Sequence, residues 1–343
     1  MTAPALESTV ESLLAFSKGI LAADESLPTI EKRFKALNIS SLEENRGAYR
    51  EMLFTTPGLS EFISGVILFD ETIRQAADDG RPFVDVLVKE GIIPGIKVDR
   101  GTKPLAGTPG EQVTEGLDGL RERLADYKKL GARFAKWRAV IVIGDDGRTP
   151  TRLALEANAV ALARYAALCQ EAEIVPIVEP EVLMDGGHSL ERCFEVTEAT
   201  LHTVFHALWE HKVLLEGMLL KPSMVVPGAA SARPASVEAV SQATVRCLRR
   251  TVPSAVPGIV FLSGGQSDEL ATAHLNAMNR LPEPAPWPLS FSFARALQAA
   301  PLTSWGGDPI RVEDGQRAFR HRARCNSAAR VGAYTAELER SAR

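Results

Sequence analysis

Eight short apolar runs recur along this chain, and polar or charged residues follow each of them. Runs of this length are typical of strands that are buried on both faces. The eight runs are Gly19–Ala23, Ser64–Phe69, Ile92–Ile96, Arg133–Ala135, Ile174–Val178, Gly217–Leu220, Gly258–Leu262 and Leu289–Phe293. Most are separated by segments with helical spacing of apolar residues, of which the clearest are Glu115–Leu130, Ala154–Glu171, Leu190–Trp209 and Ser236–Arg250.

This alternation predicts an α/β fold, a single (β/α)8 TIM barrel over residues 1–343 with an N-terminal helix and a short C-terminal tail. A doubly wound parallel sheet is the main alternative. If such a sheet bound a dinucleotide, a GxGxxG turn would follow its first strand, and the sequence has none there. No Pro/Gly/Ser-rich linker divides the chain, which favours one domain.

Composition narrows the class of protein further. The 343 residues are 45% hydrophobic, enough for a large core, and a net charge of −4 gives no reason to expect nucleic acid as a partner. The four cysteines form no CxxC pair, which argues against a disulfide framework or a zinc knuckle. With neither a signal-peptide pattern nor an apolar run of membrane-spanning length, we expect a cytoplasmic protein without a membrane partner.

One lysine stands out at the end of a predicted strand. Lys221 follows the apolar run Gly217–Leu220 and precedes Pro222, which cannot donate to a strand ladder. A lysine at the tip of a buried strand loses hydration, which favours the neutral, nucleophilic amine. Taken alone, however, such a lysine more often extends its ammonium group to water.

Other strand ends carry similar residues. The polar residues at the predicted tips are Asp24, Lys97, Lys136, Glu179, Lys221, Ser263 and Arg295. In a barrel, the carboxyl ends of the strands meet at one mouth, where barrel enzymes place their catalytic groups. Any one of these residues is more often a salt-bridge partner than a catalyst. Because buried charges are rare unless they are paired, the whole set at matching positions favours a catalytic pocket.

The set suits imine chemistry on Lys221. A nearby ammonium group at Lys136 favours the neutral amine of Lys221, and a protonated imine then withdraws electrons from a breaking carbon–carbon bond. Glu179 is placed to dehydrate the carbinolamine and to reprotonate the enamine. Asp24 is the candidate to take a hydroxyl proton from the leaving fragment.

Two groups of residues are suited to anions. Ser263-Gly264-Gly265 exposes backbone N–H groups, and Arg295 adds a charged fork for the same phosphate. Lys97, with Ser26 and Thr29, is placed to hold a second anion across the mouth. These residues predict a Schiff-base lyase that acts on a doubly phosphorylated sugar.

Several longer motifs carry a family resemblance. They are GILAADES at 19–26, GIKVD at 95–99, GLDGL at 116–120, FAKWR at 134–138, VPIVEPE at 175–181, LLKP at 219–222, FLSGGQS at 261–267 and ARAL at 294–297. In these motifs the chain resembles the class I fructose-1,6-bisphosphate aldolases, from about Gly19 to Gly307. Because the motifs are several residues long and occur in order, a chance match is excluded in practice.

The resemblance implies a homotetramer of barrels that uses no metal or other cofactor. Its implied reaction is the reversible cleavage of fructose 1,6-bisphosphate to dihydroxyacetone phosphate and glyceraldehyde 3-phosphate, within glycolysis and gluconeogenesis. The preference between hexose and heptulose bisphosphates stays open.

Matching the motifs residue by residue assigns roles. The catalytic positions of the family fall on Lys221 (imine), Glu179 (acid/base), Glu181 (support), Asp24 (C4 hydroxyl) and Lys136. The phosphate and substrate positions fall on Ser263, Gly264, Arg295, Lys97, Ser26, Thr29, Arg138 and Arg33.

Two departures from the family pattern matter. Leu27-Pro28 stands where the family commonly has small polar residues, so we expect a different loop over the second phosphate. Many relatives end in a longer tail with a terminal tyrosine, whereas Tyr334 lies too early to match it. Residues 335–343 are polar and lack an aromatic residue, and we expect them to be mobile.

Parts of the sequence are also compatible with three other functions. His202 and His206 are four residues apart, with His211 nearby, a spacing that can hold zinc in a metal-dependent aldolase, but no HExxH pattern is present. A pyridoxal-phosphate barrel would also use a lysine imine and a phosphate site. A catalytically inactive scaffold would have no need of the charged residues at the strand ends.

Overall fold

Eight parallel strands close into a barrel in this computed structural model, which describes residues 3–145 and 147–341. The barrel strands are β1 (Gly19–Ala23), β2 (Ile63–Leu68), β3 (Ile93–Lys97), β6 (Phe134–Ile141), β7 (Val175–Val182), β8 (Leu219–Leu220), β9 (Ile259–Phe261) and β10 (Leu289–Phe293). Their order around the barrel is β1-β10-β9-β8-β7-β6-β3-β2. The predicted (β/α)8 barrel is therefore confirmed. That the whole chain is one domain stays a prediction.

Helices surround the barrel. They are α1 (Ala3–Leu13), α2 (Leu27–Lys35), α3 (Glu43–Phe54), α4 (Phe83–Lys89), α5 (Leu120–Lys129), α6 (Arg152–Glu171), α7 (Leu190–Glu210), α8 (Val237–Thr251), α9 (Asp268–Asn279), α10 (Arg295–Trp305), α11 (Val312–Arg330) and α12 (Ala336–Arg340). None of these described helices has the length and apolarity needed to cross a lipid bilayer.

Two features differ from the sequence prediction. Strands β6 and β7 continue past the predicted apolar runs, so Lys136, Arg138, Glu179 and Glu181 lie within strands and not after them. The apolar runs end before these strands do, because the last residues of the strands face a polar mouth. An antiparallel hairpin, β4 (Thr102–Pro104) with β5 (Gln112–Thr114), was not predicted from its short, polar sequence.

The C-terminal tail also differs from the expectation. Thr335 caps α12 by accepting a hydrogen bond from the Leu338 N–H, and Glu339 of this helix pairs with Arg322 of α11. The expectation of a mobile tail is therefore wrong for residues 335–341. Residues 342 and 343 lie outside the described residues.

The core forms an inner layer within the barrel and an outer layer beneath the helices. The inner cluster contains Leu6, Val10 and Leu13 of α1 together with strand residues such as Phe134 and Val175. Helix α1 thus packs across the amino-terminal ends of the strands. The larger, outer cluster packs the other face of the strands against the surrounding helices. The opposite, carboxyl end of the barrel is left as the open mouth.

The inner layer requires glycine beside its largest side chain. Gly95 of β3 pairs in register with Phe134 of β6, and a Cβ at Gly95 would lie 2.3 Å from the Phe134 Cζ. Such a contact forces the ring or the strand to move. Gly95 therefore allows the ring to fill the barrel without displacing β3.

We expect Gly95→Ala to lower the free energy of unfolding by about 1–3 kcal/mol through overpacking. Gly47→Ala is the matched control, because Gly47 lies within α3 and its nearest atom would be 3.9 Å from the added Cβ. The control should raise stability by up to about 1 kcal/mol through helix propensity. Urea unfolding measures the free energy of unfolding of both variants. Equal stabilities of Gly95→Ala and the unmodified chain would show that Gly95 is not needed to accommodate the Phe134 ring.

Candidate active site

Strand alternation explains which side chains face the mouth. Side chains two residues apart on a strand point to the same side, so a residue two positions beyond an interior residue projects above it. The pairs of interior and mouth residues are Ala22 with Asp24, Phe134 with Lys136, Ile177 with Glu179, and Leu219 with Lys221. The apolar interior of the barrel therefore forms the floor of a charged pocket.

All the predicted site residues line one cavity of about 1210 Å³ at this mouth. They are Lys221, Glu179, Asp24, Lys136, Glu181, Ser263, Gly264, Arg295, Lys97, Ser26, Thr29, Arg138 and Arg33. The structure thus brings the whole predicted set together. Their individual roles stay predictions.

The ammonium group of Lys136 lies at the centre of the site. Its Nζ is 2.7 Å from Asp24 Oδ2 and 3.1 Å from Glu179 Oε2. Glu179 Oε1 is in turn 3.1 Å from the Nζ of Lys221. All four side chains are buried, so each charge depends on these ion pairs for its stabilisation.

The pKa values follow from this arrangement. Burial alone would raise the pKa of Asp24, but the positive charges of Lys136 and Lys221 outweigh it and lower the pKa to about 2. Burial alone would lower the pKa of Lys136, but Asp24 and Glu179 outweigh it and raise this pKa well above its usual value. Asp24 and Lys136 are therefore both charged at neutral pH.

Two buried carboxylate oxygens in this group have Lys136 as their described partner. Asp24 Oδ2 and Glu179 Oε2 both lie at ion-pair distance from its Nζ. A carboxylate oxygen accepts more than one hydrogen bond, so each keeps capacity for a hydroxyl group bound in the cavity.

Lys221 lines the cavity from a buried position. It follows β8 directly, its backbone N–H donates to the Val178 carbonyl over 2.8 Å, and the residue is only 3% exposed. The predicted position of Lys221, at the end of a buried strand, is confirmed.

A free cation and two free N–H groups lie on one side of the mouth. Gly264 and Gly265 have φ angles of 50° and 92°, a region that favours glycine, and their N–H groups donate to no other described residue. Arg295, at the start of α10, makes no ion pair or hydrogen bond within the described chain. A Cβ at Gly265 would lie 3.8 Å from its Nη2. These features are suited to an anion.

On the other side of the mouth, the predicted cations Lys97 and Arg138 are already paired. Lys97 donates to the Asp99 carboxylate and to the Asp99 carbonyl, and Arg138 pairs with Glu181. Ser26 and Thr29 lie 3.0 Å apart, oxygen to oxygen, at the start of α2. An anion bound here would compete with Asp99 for Lys97.

Sequence reasoning missed the network behind Arg33. Glu25 pairs with Arg33 at the mouth and, through Oε2, with the buried Arg50 at 2.5 Å. Gln298 donates to the other Glu25 oxygen over 2.8 Å. The one sequence signal for Glu25 was its position directly after Asp24, which was already a predicted site residue. Its partners come from α3 and α10, which no local pattern could identify.

The predicted alternative of a histidine zinc site is not favoured. His202 and His206 lie exposed on α7, outside the barrel, and line no part of the mouth. Among the described residues, one group of His, Cys and acidic side chains is close enough to share a metal, and it contains no mouth residue.

A closed barrel with ionisable side chains at the carboxyl ends of its strands is the arrangement of a barrel enzyme. The family model described as glycolytic, fructose-bisphosphate aldolase class-I, matches residues 5–343. This chain belongs to the class-I fructose-bisphosphate aldolase family, a family of lyases.

Individual relatives agree with this assignment. A probable fructose-bisphosphate aldolase class 1 of Xylella fastidiosa (strain 9a5c) is 57% identical over 335 residues, which cover 97% of this chain and 99% of the relative. The cytosolic fructose-bisphosphate aldolase 6 of Arabidopsis thaliana is 57% identical over 322 residues, covering 94% and 89%. The solved aldolase of Plasmodium falciparum, in a ternary complex with TRAP and a small-molecule inhibitor, superposes with a TM-score of 0.95 at 51% identity, covering 97% and 96%.

The lowered pKa of Asp24 predicts a pH-dependent stability. Because the pKa falls from 3.8 to about 2 on folding, its contribution is present above about pH 4 and is lost as the pH falls through about 2. The contribution is about 2 kcal/mol at neutral pH, of which about 1 kcal/mol is lost by about pH 3.

Urea unfolding of the unmodified chain and of Asp24→Asn, at about pH 5 and about pH 3, measures this effect. The difference in free energy of unfolding between the two proteins should shrink by about 1 kcal/mol at the lower pH. The same difference at both pH values would show that the Lys136–Asp24 pair does not lower this pKa.

Proposed function

We propose that this protein cleaves fructose 1,6-bisphosphate reversibly to dihydroxyacetone phosphate and glyceraldehyde 3-phosphate through a Schiff base on Lys221. The observation that carries the proposal is the buried Lys221 amine, 3.1 Å from the Glu179 carboxylate in the cavity. Membership of the family supports the substrate.

Imine formation begins the proposed reaction. Lys221 first gives a proton to the Glu179 carboxylate, which contacts its Nζ directly. The neutral amine then adds to the C2 ketone, and Glu179 returns the proton as the carbinolamine loses its hydroxyl group as water. The product is a protonated imine, which serves as the electron sink for the next step.

Carbon–carbon cleavage follows. Asp24 accepts the proton of the C4 hydroxyl, the C3–C4 bond breaks, and its electron pair moves to the imine nitrogen to give an enamine. A carboxylate with a pKa of about 2 is a weak base. It suffices here because the hydroxyl becomes strongly acidic as it turns into the aldehyde carbonyl. The positive charge of Lys136, 2.7 Å from Asp24 Oδ2, stabilises the negative charge that develops on the oxygen.

The remaining steps release the second product. Glyceraldehyde 3-phosphate leaves, the enamine carbon is protonated by Glu179 or a bound water, and hydrolysis of the imine returns Lys221 and dihydroxyacetone phosphate. Helix α12 carries no tyrosine, and we assign no proton transfer to it.

The phosphate groups bind at opposite sides of the mouth in this proposal. The ketone-end phosphate is held by Ser263, the Gly264 and Gly265 N–H groups and Arg295. The other phosphate is held by Lys97, Ser26 and Thr29, with Arg33 and Arg138 contacting the sugar. Glu181 holds Arg138 in place through its ion pair.

The remaining properties are also proposals. The described mouth residues form no metal-ligand cluster, so we assign the electron sink to the lysine imine alone. The relative named as cytosolic supports a location in the cytoplasm. The homotetramer and the use of sedoheptulose bisphosphate stay predictions.

Replacing the proposed nucleophile tests the function. Lys221→Met keeps the length of the side chain but cannot form an imine, so cleavage of fructose 1,6-bisphosphate should fall by at least about a thousandfold. Lys89→Met, at an exposed position on α4, should keep full activity. A folded Lys221→Met protein that retains a tenth of the activity or more would contradict the mechanism.

The proposed ketone-end site depends on a buried polar relay. Gln266 Nε2 donates to the Ser263 carbonyl over 3.1 Å, which leaves Gln266 Oε1 to accept a hydrogen bond from His274 Nδ1 at 2.5 Å. Burial lowers the pKa of His274 to about 4, so the ring is neutral at neutral pH and donates through Nδ1. His274 is therefore a positioning residue for the Ser263–Gly265 loop.

We expect His274→Leu to weaken binding of dihydroxyacetone phosphate by about threefold to tenfold, the value of one buried hydrogen bond, with kcat changed by less than about twofold. His274→Asn keeps an amide nitrogen at the position of Nδ1 and should restore the affinity. Isothermal titration calorimetry measures the affinity of each variant, and steady-state kinetics measures its kcat. Equal losses in the two variants would show that the hydrogen bond does not position the loop.

A further inference from the structure

Three side chains of different chemistry converge where α11 meets α12. His321 and Cys325 are one helical turn apart on α11, and Glu339 reaches them from α12. One ligand atom from each lies within 4.8 Å of the other two. His321 Nε2 is 3.5 Å from Cys325 Sγ and 3.8 Å from Glu339 Oε1.

These separations suit a small tetrahedral cation. With zinc–nitrogen, zinc–oxygen and zinc–sulfur bonds of about 2.0–2.3 Å, a tetrahedral centre places nitrogen and sulfur about 3.5 Å apart and nitrogen and oxygen about 3.4 Å apart. The first distance matches the observed one, and the second requires Glu339 to move by about 0.4 Å. Imidazole, thiolate and carboxylate are all zinc ligands.

We propose that His321, Cys325 and Glu339 form a binding site for a borderline-soft divalent cation such as Zn²⁺, with a fourth position for water. The site lies outside the cavity at the strand ends and does not depend on the proposed function. A bound cation would join α12 to α11 and so hold the C-terminal segment in place.

The surroundings of the carboxylate are compatible with a ligand. Tyr334 donates its hydroxyl hydrogen to Glu339 Oε2 over 2.6 Å, which orients Oε1 toward His321 and Cys325. Arg322 also pairs with Oε1 and competes with a cation for it. If Arg322 releases this oxygen, its guanidinium keeps the Asp268 carbonyl at 3.2 Å and the Thr272 hydroxyl at 2.7 Å.

Binding exchanges a proton for the cation. A free thiol is protonated at neutral pH, whereas the metal ligand is the thiolate. The thiol loses H⁺ as the sulfur–metal bond forms, one proton for each cation. The groups that face this site are Arg322, Arg324, Tyr334 and Glu339, and the first two oppose a further positive charge.

Cobalt(II) provides the test, because a thiolate ligand gives a charge-transfer band in the near ultraviolet and a tetrahedral site gives intense visible bands. The metal-free full-length chain is titrated with Co²⁺ at neutral pH. We expect one equivalent of thiolate-bound cobalt, displaced by Zn²⁺ and with the release of one proton.

Variants assign the signal to this site. Cys325→Ser should abolish the thiolate band, and Glu339→Gln and His321→Ala should each weaken binding at least tenfold. Cys193→Ser and His206→Ala are matched controls, because Cys193 is a buried free cysteine and His206 an exposed histidine, both on α7 and away from this site; both should keep the band.

Several outcomes would overturn the proposal. They are the absence of a thiolate band at millimolar Co²⁺, a band that persists in Cys325→Ser, and equal affinity in Glu339→Gln and the unmodified chain. If Cys325→Ser does not fold, the same decision rests on Glu339→Gln and His321→Ala, whose affinities for Zn²⁺ are measured by calorimetry.

Discussion

The pairing of one buried ammonium group with two carboxylates organises the whole mouth of this barrel. Lys136 of β6 contacts Asp24, at the end of β1, and Glu179 of β7, and Glu179 contacts Lys221 after β8. Buried charges are stable only when they are paired, so removing one member leaves its partners uncompensated. The four strand ends are therefore held in one arrangement by the same groups to which we assign the chemistry.

The two sides of the mouth differ in how their cations are used. Arg295 and the N–H groups of Gly264 and Gly265 have no partner among the described residues, whereas Lys97 is already paired with Asp99. An anion gains most where charges are free, because it displaces no existing ion pair. We infer that the side with Arg295 binds its phosphate without rearrangement. On the other side, an anion that binds Lys97 exchanges the ion pair of this lysine with Asp99 for a new one.

Strand alternation made the mouth residues predictable from the sequence. The ion pairs that these residues form across the fold were not predictable. An apolar run that ends in a charged residue fixes both the strand and the side of it that faces the mouth, which is why Asp24, Lys136, Glu179 and Lys221 were found. The partner of a charge on a neighbouring strand is set by the register between strands, so the Arg138–Glu181 pair became visible only in the structure. The packed tail was missed because its ordering depends on Arg322, a distant residue on another helix.

The most direct measurement of the central claim traps the intermediate on Lys221. The protein is treated with dihydroxyacetone phosphate and sodium borohydride, digested, and mapped by mass spectrometry, with a control that omits the sugar phosphate. The account predicts one reduced triose phosphate adduct per chain, on Lys221, together with loss of activity. An adduct on Lys136 or another lysine, or no adduct while cleavage activity is present, would contradict it.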